Sequence, residues 1–389
     1  MPKNYYLEEM KNFLTLILLL VLATACNPSQ PESTSLSPAP TGYSFLVGTY
    51  TDSAHQGIQE LYFSPSENKF EVKIIASEIQ NPSFVLTNAE GDLVFSLEED
   101  QSKTGGNILV FERSKRLEKL IPLDTIPSYG DHPCYLGLSP DEKLLAVANY
   151  TGGSLSLFEV SPSHQLKFIQ MIQHSGKSVN PARQESPHVH STVFSPDGKY
   201  LLAADLGTDK IYVYQIDRTL ENPLSLFAEY PMTSGDGPRH LVFSSGGSQV
   251  LVVQEMAAVL EIFEFQDGKM SSIALHSLVS DTFSGKVGAA EVRVFEDGKF
   301  AYVSNRGDAN AVVVFEKREN GYVKIQEISS GGIMPRNFNL TRDGLFLIVA
   351  NQASNDLVVF ARNPQTGLLT LTEWKLSIQK PSYLFQLPD

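Results

Sequence analysis

Cysteine is nearly absent. The 389 residues contain two, Cys26 and Cys134, so at most one disulfide can form. Basic charge is in deficit: 30 Lys and Arg stand against 44 Asp and Glu, a formal net charge of -14 with a pI near 5.1. A generic nucleic-acid-binding surface needs a basic face, so that class is excluded. Small anionic ligands are not, because a local arginine cluster works inside an acidic protein. Helical periodicity is almost missing, which argues against an α/β fold. The sequence also lacks G-x-S-x-G, H-E-x-x-H and C-x-x-C, so no motif supports a covalent serine route or a common zinc site. What is present is a folded-protein composition, 42% hydrophobic and 19% charged, long enough for a large core.

The N-terminus reads as a targeting segment. Lys11 precedes the apolar run "FLTLILLLVLA", and "ATAC" ends at Cys26. A basic start, a short apolar core and small residues form a secretory signal. The cysteine after them resembles a bacterial lipobox, although Ala23 stands where leucine is more usual. That resemblance implies a lipid on Cys26, removal of residues 1–25 and a membrane-anchored envelope protein. Met10 is an alternative start, because Glu8 and Glu9 fit a basic leader badly. An uncleaved membrane anchor is the rival reading, but the run is short for a span. Residues 27–42, "NPSQPESTSLSPAPTG", read as a Pro/Ser tether. With Cys26 lipidated, Cys134 has no partner, and the exported domain is stable by packing alone.

The remaining chain repeats itself. "HPCYLGLSPDEKLLAVANYTGGSLSLF" (132–158), "PHVHSTVFSPDGKYLLAADLGTDKIYVY" (187–214) and "PRHLVFSSGGSQVLVVQEMAAVLEIF" (238–263) share one pattern. So do 289–315 and 335–360, with a looser copy at 81–111. Each reads strand, tight turn, apolar strand, polar turn, alternating strand, with a fourth strand after it. Leu138, Phe194, Phe243, Val294 and Leu340 occupy one slot before the turn, about 50 residues apart, a period that predicts a β-propeller with four strands per blade. A seventh blade is split across the ends, "PSYLFQL" (381–387) joining 43–63, which removes the open sheet edges. The expectation is one all-β domain over 43–389, a seven-bladed β-propeller, and a monomer.

Repeats agree at structural positions, so the positions where they differ point to function. Four residues before the shared slot stand Cys134, His190, Arg239, Ala290 and Arg336. Twelve residues after it stand Tyr150, Leu206, Glu255, Arg306 and Gln352. Both columns are expected at one mouth of the central channel. Three guanidiniums meeting there repel one another and make sense around an anion or a developing oxyanion. Rim salt bridges are the plain alternative. Asn149, Asp205, Asn305 and Asn351 end their strands, where turn-making explains them. His188 lies two places before His190, on the same side and further out, with an exposed rim position as its simplest explanation. An internal Glu291–Arg293 contact is the simpler reading of that pair.

These motifs, with "VGTYT…GI" (47–58), "GDGPRHLVF" (235–243) and "AEVRVFEDGKFAYVSNRG" (290–307), resemble the seven-bladed propeller lactonases. That family includes a bacterial 6-phosphogluconolactonase and fungal carboxymuconate-lactonizing enzymes, and the match covers the chain beyond residue 42. The resemblance implies lactone chemistry at His190, Arg239, Glu255 and Arg306. Gln254 departs from the asparagine common there, which bears on substrate identity. Glu255 is the expected base or acid and His190 its alternate, favoured because nearby arginines weaken a carboxylate base. Arg239 and Arg306 are the clamps, and Arg336 holds a second anionic group. His188, Gln352 and Asn149 complete the candidate substrate-binding set, and the expected ligand is a small lactone or anionic sugar. No cofactor is required. A calcium ion on Glu255, Asn149 and Asn305, as in another group of propeller lactonases, is disfavoured by the arginines. Cyclisation, the reverse reaction, and a non-catalytic surface propeller binding glycan or envelope partners are the rival readings.

Overall fold

The computed structural model describes residues 42–52, 56–100, 105–319 and 321–388; the expected leader with Cys26 and the tether, Gly42 apart, lie outside the described residues. Every regular element among them is a β-strand, numbered β1 to β28 in chain order. They form seven four-stranded sheets, paired antiparallel throughout. Six sheets use four consecutive strands. The seventh runs β28 (Pro381–Gln386), β1 (Tyr43–Thr49), β2 (Gly57–Ser64), β3 (Lys69–Ser77), with Val47 opposite Leu384. This is the seven-bladed propeller expected from the repeat, closed by strands from the two ends of the domain.

The shared slot is structural. Leu138, Phe194, Phe243, Val294 and Leu340 are the last residues of β8 (Pro133–Leu138), β12 (Val189–Phe194), β16 (Pro238–Phe243), β20 (Val287–Val294) and β24 (Pro335–Leu340). These strands, with β28 and β4 (Val85–Thr87), begin the blades and pack blade against blade. The turn that follows explains its own sequence. In "SPDGK", Ser195 Oγ accepts the Tyr200 amide (3.0 Å) and donates to Asp197 (2.6 Å), while Gly198 takes φ +69°. A side chain with a Cβ is strained there, so glycine recurs. Ser139 with Asp141 and Thr341 with Asp343 repeat the device.

The second strands are β5 (Leu93–Glu98), β9 (Leu144–Asn149), β13 (Tyr200–Asp205), β17 (Gln249–Gln254), β21 (Phe300–Gly307) and β25 (Phe346–Asn351). β9 and β13 are buried at every residue, because a blade's middle is covered by neighbours on both faces. The outermost strands alternate instead, as "LTLTEWKLS" does in β27 (Leu369–Ser377). The closing blade is fastened to its neighbour by aromatic packing. Phe63 lies 5.1 Å from Phe346 and 5.6 Å from Trp374, ring centre to ring centre, inside a core shared with Ile348 and Val359.

Candidate active site

Six of the seven first strands, all but β4, are bulged where the sequence varies. Pro133 pairs with Asn149 and Tyr135 with Ala148, leaving Cys134 out of register; Val189 and Ser191 flank His190 in the same way. The interruption spans Arg239 and His240 in β16, Ala290 and Glu291 in β20, and Arg336 in β24. In β28 it falls at Ser382. A bulge leaves its residue unpaired and re-aims the side chain, which is why these positions escape the repeat's constraints. The second column sits one residue past its strand or at its final turn, and two blades too divergent for the sequence comparison complete it. Tyr50 follows β1 and Glu99 follows β5.

Glu255 is the hub. Its Oε2 lies 3.1 Å from Arg239 Nε and 2.9 Å from Arg306 Nη2. Its Oε1 lies 2.7 Å from Arg183 Nη2. The backbone of β20 fixes two of these guanidiniums. Arg239 Nη1 donates to the Ala290 carbonyl at 2.5 Å, and Arg306 donates to Gly288 (2.9 Å) and Ala289 (3.2 Å). Burial raises the Glu255 carboxyl, but Arg306 and Arg239, with His190 and Arg183, outweigh it and hold the group well below the carboxylate range. Burial, reinforced by Arg306 and Arg336, pulls Arg239 down to about 9, so it is still a cation at neutral pH.

His190 is buried beside this cluster. Its ring meets Tyr150 edge-on at 5.1 Å and His240 at 5.3 Å, and its Nδ1 lies 3.9 Å from Cys134 Sγ. Burial, then Arg239, hold its pKa well below that of a free imidazole, so at pH 7 it is neutral, with a lone pair open to a proton but less basic than a free imidazole. Burial pushes the Cys134 thiol up, which makes it a poor nucleophile; it donates to the His190 carbonyl at 3.5 Å. Arg336 donates to Tyr50 Oη (2.8 Å) and covers that ring, and Tyr50 donates to Glu99 (2.7 Å), which Ser83 also contacts.

Other candidates are placed differently. His188 is buried rather than exposed on a rim. It stacks on Tyr150 at 4.6 Å and donates from Nδ1 to the Tyr150 carbonyl at 3.0 Å, so it props the tyrosine. Asn149 turns into its own blade, donating to Ser154 (3.2 Å) and Ser156 (3.3 Å). Asn305 and Asn351 are likewise engaged within their blades. Gln352 Oε1 is enclosed without a hydrogen-bond partner in the blade of Arg336. Glu291 does not pair with Arg293. It contacts His240 Nδ1 at 3.3 Å and Asn337, while Arg293 donates to the Phe338 carbonyl (2.9 Å) and Tyr383 Oη (3.2 Å). The bulge at Ala290–Glu291 re-aims the Glu291 side chain, so the simpler reading of that pair does not hold. Among the described residues, no group of three or more His, Cys, Asp and Glu side chains is placed to hold a metal ion.

The buried groups make stability depend on pH. His190 and His240 are held below the ordinary imidazole value by burial, and Glu255 lies below its ordinary value. In each case the unfolded chain binds protons more readily than the folded one, so stability falls as pH drops, first below about 6.5 and further below about 4.5. Glu291, raised by burial, acts in the opposite sense as pH rises above about 4.5. The unfolding free energy from urea titration is therefore expected to be lower at pH 5 than at pH 7. Equal or greater stability at pH 5 contradicts this assignment.

Comparison with known proteins agrees with the geometry. The family described as "Lactonase, 7-bladed beta-propeller" matches residues 44–385. A 6-phosphogluconolactonase of Formosa agariphila is 30% identical over 87% of this chain and 98% of its own. One from Bacillus subtilis is 28% identical over 88% and 97%. The solved structure of a periplasmic gluconolactonase from Pseudomonas aeruginosa superposes with a TM-score of 0.83 at 33% identity, covering 89% of this chain and 99% of that one. With its blade count and closure, and with a family model matching nearly all of the described domain, the chain belongs to the seven-bladed β-propeller lactonase family.

Proposed function

We propose that the chain opens a sugar lactone, of the aldonolactone class, at the mouth formed by His190, Arg239, Glu255 and Arg306. The observation that carries this is the charge balance: three guanidiniums on one carboxylate, with a neutral imidazole beside them. Such a site favours an added negative charge, and the tetrahedral intermediate of lactone hydrolysis supplies one. His190 takes a proton from water as its oxygen bonds to the lactone carbonyl carbon. Arg239 and Arg306 receive the oxyanion. When the ring C–O bond breaks, the imidazolium returns its proton to the leaving alkoxide, and lactone plus water have become a hydroxy acid. Glu255, ionised and held by arginines, is a poor base; it aims two guanidiniums and offsets the charge that His190 gains. Arg336, hydrogen-bonded to Tyr50, contributes a second anionic or hydroxyl contact.

The same proposal includes location. We infer that the leader ending at Cys26 is a lipid-attachment signal that would hold the enzyme on the cell envelope, and a periplasmic relative supports that setting. The test is direct. Purified protein is assayed against gluconolactone and its 6-phosphate with a pH-stat, and fatty-acid labelling compares wild type with Cys26→Ser. Hydrolysis above the spontaneous rate, and label lost with the cysteine, are expected. Hydrolysis of neither lactone rejects the substrate reading; label retained by Cys26→Ser rejects the anchor.

A further inference from the structure

One guanidinium on Glu255 differs from the other two. Arg239 and Arg306 come from the repeated strands, with side chains 2% and 10% exposed and backbone carbonyls holding them. Arg183 comes from outside the repeat, in the connection 174–188 between β11 (Leu166–Gln173) and β12, the longest link between described blades. Its side chain is 43% exposed. Its guanidinium bonds to two side chains, Glu255 and Tyr150 Oη (3.3 Å).

The segment that presents it is built for presentation. Asn180 accepts the Arg183 amide at 3.2 Å and the Gln184 amide at 2.7 Å on its carbonyl, and its side chain accepts the Ala182 amide at 3.0 Å. Gln184, fully buried, donates to the Leu206 carbonyl at 2.9 Å, and its Oε1 accepts the Asn180 amide at 3.1 Å. Leu206 is itself a member of the second column, so the loop is pinned to the site's rim immediately beside Arg183. His188, stacked on Tyr150, fixes the other partner. A rigid base thus carries one partly exposed cation over the carboxylate.

We propose that Arg183 is the substrate-selecting residue of the site. In this structure it pairs with Glu255 Oε1; when a lactone carrying an anionic substituent binds, it moves to that anion and leaves Oε1 facing the substrate. The exchange is cheap for two reasons. Arg183 is 43% exposed and so is readily solvated when it leaves the carboxylate, and the buried Glu255 keeps Arg239 and Arg306 as counter-ions. A neutral lactone offers Arg183 nothing in return for Glu255. The enzyme therefore discriminates by charge, favouring lactones with a phosphate or carboxylate over uncharged ones. This rests on the lactonase reading above.

The test compares kcat/KM for gluconolactone 6-phosphate, for a lactone bearing a carboxylate and for neutral gluconolactone, in wild type, Arg183→Gln, Arg183→Lys and Tyr150→Phe. Loss of a charge-assisted hydrogen bond predicts that the charged-to-neutral ratio falls about 10- to 100-fold in Arg183→Gln, mainly through KM. Arg183→Lys restores part of it. Tyr150→Phe shifts the ratio the same way by a smaller factor and serves if Arg183→Gln misfolds. The two charged substrates show whether phosphate or carboxylate is preferred. An unchanged ratio, or equal loss on all three, overturns the proposal, the latter because Arg183 then only positions Glu255. A wild type that prefers the neutral lactone overturns it while leaving the lactonase reading standing. A wild type inactive on all three removes both.

Discussion

Glu255→Gln is expected to reduce kcat/KM for the substrate lactone by about 10²–10³-fold and to destabilise the fold by about 3–5 kcal/mol. The substitution keeps size and removes charge. Arg239, nearly inaccessible at 2% exposure, and Arg306 then face each other with no anion between them. Removing one partner of a buried ion pair is far worse than removing both, because the remaining charge is left without compensation. Activity falls because the guanidiniums that meet the oxyanion lose the carboxylate that aims them, and His190 loses the charge that favours its protonated form. Steady-state kinetics and urea unfolding read the two effects separately. Activity within threefold of wild type would sink the assignment of Glu255 as organiser. Normal stability would mean that Arg239 and Arg306 find other counter-charge.

Arg239→Lys is expected to lower kcat/KM by about 10²-fold despite retaining the positive charge. The guanidinium works at two ends. Nε faces Glu255, and Nη1 holds the Ala290 carbonyl in the adjacent blade. An ammonium is a single point and cannot span both contacts. The position is also desolvated enough to pull an arginine down to about 9, and a lysine there starts from a lower pKa. It is therefore expected to lose its proton at lower pH than the arginine does, so that activity declines with rising pH earlier than in wild type. A lysine variant with wild-type kcat/KM and a flat profile would show that charge alone suffices at this position.

The scaffold was legible because it is written several times. The slot from Leu138 to Leu340, the "SPDGK" turn and the split closing blade each follow from the repeat, and the strands end where the slot predicts. The site was legible where the blades align. His190, Arg239, Glu255 and Arg306 fall together because two columns share one rim. The remainder was hidden for definite reasons. Bulges leave no mark in a hydrophobic pattern, so the side chain of Glu291 could not be placed by alternation. Tyr50 and Glu99 complete the second column; the twelve-residue offset from Thr87 reaches Glu99, but Tyr50 is separated from its slot on β28 by the whole chain and no such offset finds it. Arg183 stands in a connection that no other blade copies. Its only sequence signal is the length of that connection. Asn149 follows neither expectation: instead of capping a turn's backbone or facing the site, it bonds the Ser154 and Ser156 side chains of the neighbouring strand.

The pairing of β1 with β28 has a consequence for how the protein is made. The ribosome emits β1 first and β28 last. Throughout elongation, the inner edge of β1 has no partner, and an unpaired edge invites adventitious pairing with other chains. Intervening blades can assemble and stack, yet the circle is completed only once β28 emerges. A stop codon ahead of β28 would preserve every arginine and histidine of the site and still yield a chain that cannot shut.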